Sequence, residues 1–199
     1  MCSRKAAKDD DRLLTAEGHE LAEHFGSLLP SGAPVFLSHS PVPRCRETAI
    51  DIARGFSRHN PDVPATVLGA EPWLALFHHF SLDRHSMEMR KGRVGAKAFL
   101  REWLDGKLLT GIMHPASEVV ESVLDRVVMA LRTHKGPTLH IFVDHDFGLL
   151  LIREFLFGGK FEELPWIGNL DGFVLLMESQ NTVRGLWWNQ GVVSAPLRI

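Results

Sequence analysis

Two stretches of this 199-residue chain place versatile side chains where a strand gives way to a helix. The first runs Ser38-His39-Ser40-Pro41-Val42-Pro43-Arg44-Cys45-Arg46-Glu47-Thr48-Ala49, and the second is Val143-Asp144-His145-Asp146-Phe147-Gly148. In an open parallel sheet the C-terminal ends of strands and the N-termini of the following helices converge, so ligands gather there. Arg44, in the first turn of its helix, sets a guanidinium fork beside backbone N–H groups that lack intrahelical partners. That combination suits a phosphate or sulfate oxygen. His145, at the mouth of the other strand, offers a second donor to the same anion. Taken singly, an Arg near a helix start is more often a solvated surface residue, and a strand-end His more often a satisfied structural one. Their matching topological positions favour a shared crevice.

The elements that must position these residues follow from periodicity and punctuation. Thr15 is an N-cap, and Leu21, Ala22, Phe25, Leu28 and Leu29 form one apolar helical stripe ended by Pro30-Ser31-Gly32. Val35-Phe36-Leu37 reads as a buried strand, Pro43 opens a helix over about 44–56, and a second strand follows at 65–68. Residues 71–95 lose any clear period and read as an insertion or lid, with a basic stretch at Arg84, Arg90, Lys91 and Arg93. A short helix is expected at 96–104. Ser117 caps a long one, in which Val119, Val120, Val123, Leu124, Val127, Val128 and Leu131 recur in pairs every four residues. A strand at 138–143, an almost wholly apolar helix at 147–157 closed by Gly158-Gly159, and strands at 172–178 and 182–188 around Ser179-Gln180-Asn181 complete the chain. Helices alternating with strands predict an α/β fold with three layers, a mostly parallel sheet flanked by helices, in one domain spanning 1–199.

Composition narrows the function classes. Lys plus Arg total 22 against 24 Asp plus Glu, for a net charge of -2, which excludes a broad electrostatic footprint for nucleic acid but leaves room for a local anion pocket. Hydrophobic residues, 45% of the chain, come in runs too short for a membrane span. The opening residues carry no apolar core of a secretory signal, so the cytoplasm is the expected compartment. Cys2 and Cys45 are expected as reduced thiols. His78, His79 and His85 lack a completing Cys or carboxylate, so no metal is expected. Trp73 and Phe77 serve either as core or as walls of a substrate pocket.

Three ordered segments resemble the histidine phosphatase (phosphoglycerate mutase-like) superfamily. Arg12-Leu13-Leu14-Thr15-Ala16-Glu17-Gly18 is similar to its leader "LT..G", Ser40 through Ala49 to its "SP..R...TA", and Val143-Asp144-His145-Asp146 to its late strand-end His. The resemblance implies a phosphoglycerate mutase-like fold and a phosphomonoester hydrolase. In that family a nucleophilic His takes the phosphoryl group, two Arg and a second His bind it, and a Glu or Asp protonates the leaving group. By position Arg44 would be an Arg clamp and His145 the second His. Two carboxylates compete as the acid: Asp146 resembles the proton donor of the acid-phosphatase branch, and Glu71 stands where the mutase-like branch keeps its Glu. A carboxyl beside an anionic phosphate holds its proton more firmly, as a general acid requires. No cofactor is implied. The implied partner is a phosphorylated small molecule or a phosphoprotein, with neither nucleic acid nor membrane.

The chain departs from the family pattern at its start. The family nucleophile sits in an Arg-His-Gly motif ending a first strand ahead of the leader, and some members extend it to Arg-His-Gly-x-Arg. Laid on this chain, Arg4 falls on the last Arg, Cys2 on the Gly and Met1 on the nucleophilic His. A thioether is neither a base nor a phosphoryl acceptor. Two expectations result: a phosphatase working through a phosphohistidine once a strand and Arg-His are supplied upstream, or a pseudophosphatase that binds a phosphorylated ligand through Arg4, Arg44 and His145 without turnover. A sheet lacking its first strand exposes edges, which favours lower stability or pairing into a homodimer.

Overall fold

The computed structural model describes residues 11–134, 136–179, 182–187 and 193–198, so Arg4 lies outside the described residues. They form two compact units, one from the chain up to Ala75 with His134–His145, the other from Leu76–Thr133 and from Asp146 onwards.

The first unit comprises α1 (Ala16–Ser27), β1 (Val35–His39), α2 (Pro43–His59), β2 (Ala65–Ala70), a 3-10 turn at Pro72–Leu74 and β3 (Leu139–Val143). Its three strands are all parallel in the order β2-β1-β3. The strand at the centre is the most buried: Val35 and Leu37 are both fully enclosed. Prolines set the entry points, since Val35 N–H donates to the Pro64 carbonyl (3.0 Å) and Leu139 N–H to the Pro34 carbonyl (2.9 Å). Outlying β3 is half-buried at all five positions. On one side of the sheet Phe36 stacks on His134 (4.0 Å between centroids) and His140 (5.2 Å), and Trp73 leans on Phe142 (5.5 Å).

Helix α2 packs on the strands and α1 packs on α2. The expected cap is present, Thr15 Oγ1 accepting from Gly18 N–H at 3.1 Å. Two glycines let α1 and α2 touch backbone to backbone: a Cβ on Gly26 would overlap the Ile52 carbonyl, and one on Gly55 the Glu23 carbonyl. Ionic contacts seal the crossing. Asp51, 2% exposed, is met by His19 Nδ1 at 2.5 Å and by Arg54 at 2.6 Å, while Arg54 (2.9 Å) and Arg58 both reach Glu23. A buried carboxylate is tolerated because it is paired in this way.

The second unit holds α3 (Leu76–His79), α4 (Arg84–Val94), α5 (Ala96–Leu104), α6 (Ala116–Thr133), α7 (Asp146–Phe157) and an antiparallel sheet of β4 (Phe173–Ser179), β5 (Thr182–Trp187) and β6 (Val193–Arg198) in that order. Helix α6 starts at Ala116, so Ser117 lies within its first turn instead of capping it. Residues 71–95, which show no clear period in the sequence, are largely helical. The reason is visible in α4, which buries only Met87 and therefore shows no apolar period; it is started instead by Asp83, whose carboxylate accepts from Ser86 N–H at 3.1 Å. Strand β6 was not expected, because Pro196 interrupts its pattern. It lies at a sheet edge, where a proline is tolerated. The turn residues Gln180 and Asn181 lie outside the described residues. Among the described residues no helix is long and apolar enough to cross a membrane.

Two predictions follow from the packing. Gly55→Ala, despite the better helix propensity of Ala, is expected to lose about 1–3 kcal/mol by forcing α1 from α2. Gly92→Ala, in open space on α4, gains about 0.5–1 kcal/mol; chemical denaturation of both variants reads the opposite signs. Burial, and secondarily His134, hold His140 below the ordinary imidazole value. From about pH 6.5 downward the unfolded chain takes up a proton that the folded His140 resists, so stability falls until the lower folded value is passed. His140→Phe, which keeps a ring against Phe36, flattens that acid limb in melting curves taken across pH.

Candidate active site

Parallel pairing of β1 with β3 sets the site. His39 aligns with Val143, and Ser40 N–H donates to the Val143 carbonyl at 2.9 Å, so the chain leaves both strands side by side. Helix α2 begins at Pro43, whose missing N–H costs nothing at that position, and its first turn contains no acidic residue. The positive end of the helix is thus left uncompensated by its own side chains. Thr48 Oγ donates to the Arg44 carbonyl (2.9 Å), and Glu47 accepts from Leu14 N–H (2.7 Å), tying the leader segment to α2.

The structure joins Arg44 and His145, 101 positions apart: an Arg44 guanidinium nitrogen lies 3.2 Å from His145 Nδ1. On the ring's other side Ser40 Oγ lies 2.9 Å from Nε2. Cys45 Sγ is 3.7 Å from Nε2 and 3.9 Å from Nδ1. The backbone N–H of His145 donates to Asp144 Oδ1 at 2.7 Å. His39, 5% exposed, donates from Nδ1 to the Ser40 carbonyl at 2.8 Å. Burial pushes the Cys45 thiol up to about 12, Asp144 adds to the rise, and Arg44 and a Ser40 hydrogen bond oppose it.

The two carboxylates proposed as acids belong to different units. Glu71 belongs with Arg44 and His145 in the first unit: it follows β2 directly, and its N–H donates to the His39 carbonyl at 2.8 Å. Its Oε2 accepts from Trp73 Nε1 at 2.8 Å. Asp146 opens α7 of the second unit, where Oδ2 accepts from Trp166 Nε1 (2.9 Å) and Oδ1 from Phe147 N–H (2.9 Å). Each carboxylate is therefore oriented by an indole N–H. Trp73, 4% exposed, is a core residue that holds Glu71, and Phe77 belongs to an aromatic cluster with Phe99, Trp103 and Phe147 in the second unit. Among the described residues no three His, Cys, Asp or Glu side chains converge as metal ligands.

Sequence reasoning gave no site role to Ser40, Cys45 or Trp166, and read Trp73 as core or pocket wall without its contact to Glu71. For Ser40 a signal existed, a pair of hydroxyls, Ser38 and Ser40, directly after an apolar strand. The tryptophan contacts leave no trace in spacing.

No family model matches the chain, and no curated protein matches it. Solved structures do. One is described as mycobacterial hydrolase 2, with a TM-score of 0.51 and 14% identity over 94% of this chain and 78% of that chain. Two are of a mycobacterial glucosyl-3-phosphoglycerate phosphatase, native and with inorganic phosphate, each with a TM-score of 0.51 and 14% identity over 94% of this chain and 86% of that chain. At that identity the likeness is one of fold, and it agrees with the parallel sheet flanked by helices described above. The chain shares the α/β fold of these solved structures, a parallel sheet flanked by helices.

Proposed function

We propose that the protein recognises the phosphoryl group of a phosphomonoester at the ends of β1 and β3, and that it is a phosphatase by descent and chemistry. The observation that carries this reading is the contact between Arg44 and His145, which concentrates a permanent cation and a titratable donor at an uncompensated helix N-terminus. Fold neighbours that include a phosphatase in complex with inorganic phosphate support it. Arg44 clamps the phosphoryl oxygens, and His145, once it carries a proton on Nδ1, donates to the same oxygens as negative charge builds on them. Glu71 or Asp146 supplies the proton to the leaving oxygen, each held in place by its indole. The phosphorylated partner is a small molecule or a phosphoprotein.

Turnover through a phosphohistidine requires a nucleophilic imidazole held on an Arg-His segment ahead of the leader. With that segment present the protein hydrolyses phosphomonoesters; without it the same Arg44–His145 site binds a phosphorylated ligand and releases it unchanged. Cys45 does not substitute as nucleophile, because the attacking species is the thiolate and this thiol stays protonated far above neutral pH.

Two measurements check this reading. Calorimetric titration with inorganic phosphate is expected to show binding that Arg44→Gln weakens about tenfold or more, the loss of a charge-assisted hydrogen bond; equal affinity in both proteins removes the proposed site. A chain extended upstream by an apolar strand ending in Arg-His is expected to hydrolyse an aryl phosphate, with the phosphoryl group trapped on that His. Separately, the Cys45 peptide stays unalkylated by iodoacetamide in the folded protein and is labelled on unfolding, as mass spectrometry reports.

A further inference from the structure

We infer that Ser40 is a positioning residue that holds His145 in its Nε2–H tautomer, with the Nδ1 edge turned to Arg44. The inference rests on the phosphoryl-binding reading and deepens it. A neutral imidazole has one donor and one acceptor, and a guanidinium can only donate. At 3.2 Å from Arg44, Nδ1 must carry the lone pair, so the hydrogen resides on Nε2 and Ser40 Oγ accepts it at 2.9 Å. Cys45 Sγ lies 3.7 Å from the same Nε2, and its thiol remains protonated. Ser40 itself cannot swing away: it is fully buried, and its N–H is tied to the end of β3.

This arrangement has a consequence for anion binding. A phosphoryl oxygen that takes up the Arg44 N–H frees Nδ1, which accepts a proton and donates to the same oxygen. Throughout that exchange Nε2–H stays on Ser40, so the ring keeps its plane. Without the hydroxyl a part-buried N–H loses its acceptor, and the ring is free to change tautomer or turn.

The test is nitrogen-15 NMR of the full chain at about pH 8, where an ordinary imidazole is neutral, combined with titration by inorganic phosphate. The His145 resonances, one set among eleven histidines, are assigned by their loss in His145→Asn. Wild type is expected to show a protonated Nε2 and an unprotonated Nδ1. Ser40→Ala is expected to show mixed tautomers and about five- to tenfold weaker phosphate binding, and Ser40→Thr, which keeps the hydroxyl, to stay near wild type on both. A protonated Nδ1 in wild type overturns the inference, and that reading needs no variant to fold. So does a Ser40→Ala protein that keeps the pure Nε2–H form and full affinity. Failure of wild type to bind phosphate would instead remove the phosphoryl-binding reading, while the tautomer still decides the role of Ser40.

Discussion

The pairing of β1 with β3 is the constraint on which the site depends. The two strands lie about a hundred residues apart in the chain, and closing a loop of that length costs conformational entropy that only a well-buried strand can offset. Val35 and Leu37 supply that burial, and the central place of β1 lets one strand fix both neighbours. Once Val35 aligns with Leu139, the register carries through to His39 against Val143, and Ser40 and His145 emerge at the same level. A slip of one residue would turn the hydroxyl to the opposite face. Specific strand register thus becomes hydrogen-bond geometry at the ring of His145.

The second constraint is the direction of α2. Arg44 lies in its first turn, so any tilt of the helix displaces the guanidinium. Backbone contact at Gly26 and Gly55 fixes that tilt more tightly than side-chain packing could, because two peptide backbones in contact have no rotamers to adjust. The ionic cluster of His19, Asp51, Arg54 and Glu23 reinforces the same crossing. A helix pair remote from Arg44 in its packing therefore sets where the guanidinium lies.

How much was legible in the sequence depends on whether burial followed a period. Strands β1 and β3 and helix α2 announced themselves through short apolar runs and Pro43, and those are the elements that set the site; Arg44 and His145 were accordingly readable from position alone. Helix α4 was not legible, since one buried methionine makes no stripe, nor was β6, whose Pro196 reads as a breaker anywhere but at an edge. Glu71 and Asp146 both stood as acids through resemblance to two branches of one family, Asp146 favoured as the Asp of a His-Asp pair. Folding adds the indole N–H that orients each carboxylate, Trp73 on Glu71 and Trp166 on Asp146. The Ser40–His145 bond was illegible for a different reason, because it depends on which ring nitrogen faces the guanidinium.

A net charge of -2 is compatible with the proposed anion site because carboxylates near α2 are engaged within the fold. Asp51 is bound by His19 and Arg54, and Glu47 by a backbone N–H, so neither competes for the Arg44 end of the helix. Asp144 is the exception that helps. Its charge adds to the burial that keeps the Cys45 thiol protonated. A protonated sulfur is no base, so for the proposed phosphoryl ligand the basic atom that responds is Nδ1, on the side of the ring that faces Arg44.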